Sequence, residues 1–271
     1  MTAASGRFLA SLYSPPSERP VLDALFGVES EIAASLQGGL DHNVAHIRLQ
    51  WWREECERVA KGNPAHPLTR ALLAEFAAGT AVEGLAGFVD VAVWDLAAAT
   101  FATRRELTAY CERWATAMIM PAVAHAVPDL HDSRPWLAIG SAVHEIELLS
   151  QLASEARAGR LRLPLDELDR IGVDTGSLTR LPWSAPLAAL LGERHAALRS
   201  ILSDSVAQVE GAAQAALRGL LVWADTAWRR SRQAHRALPD CLPEQRVDGL
   251  AGTWHAWRAA RRAMTGRYRF T

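Results

Sequence analysis

Lysine is almost missing from this chain of 271 residues: Lys61 is the only one, so nearly every positive charge is an arginine. Arginine's planar fork suits bidentate contact with phosphate or carboxylate, although an alanine- and arginine-rich composition also follows from GC-rich coding DNA, which explains the larger share. Cysteine is scarce too. Cys56, Cys111 and Cys241 have no short spacing, which excludes a zinc cluster and argues against a disulfide framework. Long uncharged apolar runs are absent: the longest, 85–102, contains Asp90 and Asp95 and reads as a buried helix rather than a membrane span. The opening lacks the charged-then-apolar pattern of a secretion signal, so the expected compartment is the cytoplasm. There is no internal repeat, strand-like alternation, glycine-rich phosphate loop or Gly-x-Ser-x-Gly. A net charge of −1 with 49% hydrophobic residues indicates a folded chain with no nucleic-acid partner.

What the chain does contain is helical periodicity, long enough to bury a large core as one all-α domain over 1–271. Residues 6–13 form a short apolar-periodic start, stopped by Pro15 and Pro16. After Pro20, Val21, Leu25, Val28, Ile32 and Leu36 make one stripe of a helix over 21–36, with Gly38–Gly39 as its stop. Over 46–60 the core stripe is Ala45, Leu49, Trp52, Cys56 and Val59, with Arg48 and Glu55 one turn from Trp52 and a surface pair Glu54–Arg58. Further helices are expected over 68–78, 85–102 and 105–126. Thr103 and Glu106 match a capping box. The loop 172–186 is the clearest break. One or two long helices fill 187–231, and 238–243 interrupts again. The last helix, 249–264, carries Trp254 and Trp257 in a basic segment suited to an anionic membrane surface or to a solvated helix end.

The centre of the chain, residues 144–164, reads HEIELLSQLASEARAGRLRLP. On a helix His144, Glu147, Gln151 and Glu155 share a polar stripe, while Ala142, Ile146, Leu149, Ala153 and Ala156 share an apolar one. Arg157, Gly159, Arg160 and Arg162 follow, up to the helix-breaking Pro164. Such a stripe followed by arginines would hold a metal or a diphosphate. Equally, it describes a solvated face with an ordinary basic C-terminal bias.

EARAGRLRLPLDELDRIGV resembles the second aspartate-rich segment of the squalene/phytoene synthase family, in which an Asp-x-x-x-Asp pair precedes a Gly-Arg turn and a Leu-Pro. Gly159, Arg160, Leu163 and Pro164 fit, as do Asp166, Glu167 and Leu168, but Gln151 and Glu155 stand where the aspartates would be. RFLASLYSPPSERPVLDALFGVESEIA resembles the family's opening, whose helix carries the first aspartate-rich, magnesium-holding motif in catalytic members. Here 26–36 contains no aspartate, and Glu29 and Glu31, two apart, point to different faces. IRLQWWREECERV with GNPAHP resembles the family's Arg-Leu-x-x-Trp-Arg and His-Pro. It is closest in character to the subgroup that includes a mitochondrial complex I assembly factor and its bacterial relatives, which also lack the full pairs. Asp95–Leu96, Thr103–Leu107 and Tyr110–Cys111 follow the same pattern. The resemblance runs from Arg7 to Val173 and is vague beyond.

What it implies is an isoprenoid-synthase-like helical fold with a central cavity. In catalytic relatives, magnesium on carboxylates of two facing helices neutralises a departing diphosphate. Three readings follow. In the first, a divergent member keeps the cavity but has degenerate DxxxD motifs, and binds an isoprenoid, another lipid or a protein partner without standard condensation. In the second, a prenyl-diphosphate transferase uses Glu147, Glu155 and Asp95 with substrate contacts from Arg48, Trp51, Arg53, His144, Gln151, Arg157, Arg160 and Arg162; magnesium belongs to this reading alone, with Glu155 its one weak ligand. In the third, a helical interaction module has its cavity filled by side chains. The register also predicts that His144, Gln151 and Glu155 face the 21–36 helix across a common space.

Overall fold

The computed structural model describes residues 6–36, 41–77, 82–241 and 250–271. The Gly38–Gly39 stop, the ends of the expected helices at Ala78 and Gly249, and Pro243 lie outside them. Within them the chain forms thirteen α-helices and one short 3-10 turn, with no strand among the described residues. The first helices are α1 (Gly6–Tyr13), α2 (Arg19–Ala34), α3 (His42–Ala60), α4 (Pro67–Ala74), α5 (Ala86–Leu96) and α6 (Arg104–Ala126). Then come α7 (Arg134–Ser150), α8 (Leu152–Arg157), α9 (Leu165–Arg170) and the 3-10 turn Thr175–Thr179. The chain continues through α10 (Ala185–Gln208), α11 (Gly211–Ala216), α12 (Arg218–Ala237) and α13 (Leu250–Met264). No helix among the described residues is long and apolar enough to cross a membrane.

Local chemistry sets most boundaries. Prolines open α2, α4, α7 and α10, where the missing N–H costs nothing. The expected 85–102 helix ends at Leu96, because Ala98 turns to φ 46° and Phe101 folds inward to stack on Trp94, 5.3 Å between centroids. At α6 the expected capping box is replaced by a bond one residue earlier than the Thr103 cap. Glu106 accepts from the Ala102 backbone N–H at 2.7 Å, while the Thr103 hydroxyl makes no cap bond. The expected 187–231 region becomes α10, α11 and α12.

Helices α6 and α7 lie at the centre, with α1, α10 and α13 around α12, and α2, α3 and α5 closing the other side. Small residues allow the close crossings. A Cβ on Gly219 of α12 would lie 2.4 Å from the Ala10 carbonyl of α1, so α1 packs backbone to backbone there and its side chains are held in fixed positions. The predicted α3 stripe is buried: Ala45, Leu49, Trp52, Cys56 and Val59. Beside it Glu55, fully buried, accepts from the Ala65 and His66 N–H groups at 2.8 Å, from Arg58 Nε at 2.8 Å and from the Thr69 hydroxyl. Burial works against ionisation of Glu55, but these donors outweigh it and hold its pKa below the usual value. One carboxylate thus ties the His66–Pro67 turn to α3, and the Trp-Arg and His-Pro signals of the sequence have a structural cause.

Candidate functional site

Between α2, α5, α6, α7 and the α8 turn lies a cavity of about 550 Å³. Its apolar wall includes Ile32 and Leu36 from α2 and the following turn, Phe88, Val91 and Ala92 from α5, and Leu148 from α7. Glu29 also lines it, as do Tyr110 and Trp114 of α6 and His144. At its other end stand Asp95, Gln151, Glu155, Arg160 and Arg162. The 144–155 stripe and the α2 helix therefore face each other across an open space, and the cavity is not filled by side chains.

The α8 turn is built locally. Gly159 takes φ 80°, the Arg160 N–H donates to the Glu155 carbonyl at 2.9 Å and the Gly159 N–H to that of Ala156 at 3.0 Å. This is a Schellman closure, which favours glycine at its left-handed position. It folds Arg160 back onto its own helix, where Nε and Nη2 donate to Glu155 at 2.7 and 2.6 Å. Arg162, 5% exposed, bridges two acids: Nε donates to Glu155 at 3.0 Å and Nη1 to Asp95 at 2.6 Å. The Tyr110 hydroxyl also donates to Asp95, at 3.0 Å. Burial would raise the Glu155 pKa, yet Arg160 and Arg162 hold it below the usual carboxylate value. Burial likewise opposes the charge on Arg162, and Tyr110, Asp95 and Glu155 outweigh it. Burial and Asp95 together push the Tyr110 phenol well up.

A second ion cluster adjoins the cavity at Glu29. Arg7 of α1 grips both Glu29 carboxylate oxygens and approaches Glu147 at 3.5 Å. Each glutamate also accepts an indole N–H, Glu29 from Trp114 at 2.7 Å and Glu147 from Trp223 at 2.9 Å. The guanidinium sits 5.5–5.8 Å from the ring centroids of Phe26, Trp114 and Trp223, a cation–π cage. Burial raises the Glu147 pKa in spite of Arg7 and Trp223. Burial opposes the charge on Arg7, and the two glutamates more than restore it. His144 stacks on Trp114, centroids 4.2 Å apart and planes within 5°. Its two ring nitrogens are buried without a hydrogen-bond partner. Burial first, then Arg7 and Arg162, depress its pKa well below 6.5, so it is neutral.

The sequence-derived candidates divide in two. Asp95, His144, Gln151, Glu155, Arg160 and Arg162 come together on the cavity, with Gln151 exposed at its edge. Glu147 does not line it: three residues on from His144 it sits about 60° round α7, where its carboxylate meets Arg7 and Trp223. Arg48, Trp51, Arg53 and Arg157 do not reach the cavity. The inner face of α3 is taken by its apolar stripe, which puts Arg48 and Trp51 outside. Arg53 pairs with Asp90 at 2.8 Å on the half-exposed α3–α5 surface. Arg157 precedes the turn and is exposed. Sequence reasoning missed Arg7, Trp114, Tyr110 and Trp223, and took Glu29 as misplaced. The available signal was Arg7 itself, the only charge in the helix GRFLASLY.

Magnesium, which the fold implies, does not fit these residues as arranged. Glu29, Glu147, Asp95 and Glu155 are each bonded to an arginine of the same chain. Among the described residues no three His, Cys, Asp or Glu are grouped so as to share a metal ion.

Against known proteins, a family model described as squalene/phytoene synthase matches residues 2–250. A phytoene synthase from Arthrospira platensis is 26% identical over 180 residues, 59% of this chain and 57% of the length of that relative. Among solved structures, a dehydrosqualene synthase in complex with ligand superposes with a TM-score of 0.75 at 14% identity, over 95% of this chain and 90% of that one. The squalene synthase HpnC from Alicyclobacillus acidocaldarius gives 0.70 at 17%, over 86% and 89%.

Proposed function

Since this chain belongs to the squalene/phytoene synthase family, we propose that it keeps the family's helical cavity to hold an isoprenoid or similarly apolar lipid, without magnesium-dependent condensation of prenyl diphosphates. One observation carries the reading: every acid on or beside the cavity is paired with an arginine of the chain itself, Glu29 and Glu147 sharing Arg7, Asp95 with Arg162, Glu155 with Arg160 and Arg162. Carboxylates so occupied have few lone pairs left for the clustered oxygen coordination that magnesium requires. The three arginines are outnumbered by these four acids and so leave no net positive field to draw in a diphosphate. What remains is a volume with an apolar wall along α2, α5 and α7, within the range of small-molecule sites, about 300–1,000 Å³.

A second reading, transfer of a prenyl group from a diphosphate or a similar anion, is supported by Arg160, whose side chain is 36% exposed beside Gln151 and able to turn a face to phosphate. Titration of the protein's tryptophan emission with farnesol and with farnesyl diphosphate, each with and without magnesium, separates the two. The first reading expects farnesol to bind with no magnesium dependence, and Ala92→Phe, which fills the cavity, to weaken it. It also expects no squalene or phytoene from farnesyl or geranylgeranyl diphosphate. Wild-type turnover of either diphosphate with magnesium refutes it and establishes the second; turnover by Gln151→Asp alone identifies an enzyme one ligand short.

A further inference from the structure

Among the described residues, exposed apolar side chains and unbalanced charge coincide on the outer face of α13. Ala256, Ala259, Ala260 and Ala263 turn inward, against α12. On the opposite face Leu250, Trp254, Trp257 and Met264 are 92%, 54%, 38% and 59% exposed. Their spacing of four, three and seven keeps them on one stripe, about 21 Å long at the helical rise. The Trp254 and Trp257 rings stack with centroids 4.8 Å apart, and the Arg261 guanidinium lies 5.1 Å above Trp257. Between Leu250 and Thr271 the chain has five arginines (Arg258, Arg261, Arg262, Arg267 and Arg269) and no acid, in a protein of net charge −1.

Another exposed stripe, Val44, Ile47 and Trp51 on α3, has Glu54 and Glu57 on the same helix and so no charge bias to name an occupant. The α13 face is different. Paired tryptophans suit the boundary between head groups and acyl chains. An amphipathic helix with a cationic flank binds in that plane, and a surface of anionic lipid supplies the charge these arginines lack. We propose that α13 docks the protein on an anionic membrane surface, lying parallel to it with Trp254 and Trp257 inserted at head-group depth. This rests on the α13 surface alone and not on what the cavity holds.

The test is co-sedimentation of the full chain with vesicles of phosphatidylcholine alone and of an equal mixture of phosphatidylcholine and phosphatidylglycerol. Binding is expected to the mixture, weakening as salt is raised. Arg258→Gln and Arg261→Gln should each reduce the partition coefficient about fivefold. Trp254→Ser with Trp257→Ser should reduce it at least about tenfold, with the circular dichroism spectrum unchanged. If the tryptophan variant does not fold, the arginine variants and the salt series still decide the matter. Equal binding to both vesicle types, or none to the anionic ones, overturns the proposal. So does a wild-type dimer that the tryptophan variant converts to monomer while vesicles bind neither, which gives the stripe to a second copy of the chain.

Discussion

Replacing Arg7 by methionine keeps an unbranched apolar stem and removes the one cation between Glu29 and Glu147. The variant leaves each glutamate with a single indole donor, from Trp114 or Trp223, and two carboxylates facing each other with nothing positive between them. Breaking a buried ion pair in this way costs about 3–5 kcal/mol when both groups are sealed. Here the side chains of Arg7, Glu29 and Glu147 retain 28%, 15% and 29% of their exposure, so solvent recovers part of that. Loss of the cation–π contacts adds about 1 kcal/mol. The expected loss is about 2–4 kcal/mol at neutral pH, read from urea denaturation followed by circular dichroism. For a chain of this size that lowers Tm by about 5–10 °C. Burial already raises the Glu147 pKa against the pull of Arg7, and removing the cation raises it further, so the native variant holds a proton that the unfolded chain releases. Its deficit against wild type must therefore shrink as pH falls towards about 4.5 and grow as pH rises. Adding Glu29→Gln and Glu147→Gln should recover most of the loss at neutral pH. A single variant within about 0.5 kcal/mol of wild type at both pH values would refute the assignment of Arg7 as the compensating cation.

Three further outcomes follow from the same structure. Arg162→Ala leaves Asp95 with only the Tyr110 hydroxyl, beside a hole left by a 5% exposed side chain, while Glu155 keeps Arg160, and should cost about 3 kcal/mol. Arg160→Ala leaves Glu155 still bonded to Arg162 and should cost about 1 kcal/mol or less; equal losses in denaturation would contradict the division of roles. Acid should destabilise the protein through its buried histidines. Burial, then Arg199 and His235, lowers the His195 pKa to about 4, and His144 is lowered likewise. The stability they confer is complete above about pH 6.5 and is lost as pH falls from there towards about 4. Between about pH 7.5 and 5.5, His195 alone accounts for about 1 kcal/mol, and His144→Phe should remove the share of His144; a flat profile in that window contradicts both shifts. Gly219→Ala places a methyl 2.4 Å from the Ala10 carbonyl and 1.9 Å from the Ser14 hydroxyl, and should cost at least about 1–3 kcal/mol, with α1 displaced and Arg7 with it. Weakening of the Trp223-to-Glu147 contact, visible as a change in tryptophan emission, would report the displacement.

The all-helical fold was legible because its cause is local. Apolar residues three and four apart, prolines at first turns and the Gly159 turn act within a few positions, and the stripes over α2, α3 and α7 are buried as their spacing predicts. The family motif was legible for the same reason: the Gly-Arg turn is one contiguous Schellman closure onto Glu155. Helix ends were less so. Nothing within 85–102 marks Leu96 as the end, which depends on Phe101 finding a place against Trp94 in the core. The site was half legible. Residues on one helix face could be grouped by period, but Glu147 left its stripe for a partner on α12, and Arg48 faced outward because its helix had an apolar face to bury. The Arg7–Glu29–Glu147 cluster joins α1, α2 and α7, and no spacing predicts it. Its charges meet only because Gly219 lets α1 lie against α12 and so fixes where Arg7 reaches. Local spacing was enough for the helical class and for the family resemblance. Which charge neutralises which acid was decided by tertiary packing, since electrostatic partners are chosen by distance and burial in space and not by separation along the chain.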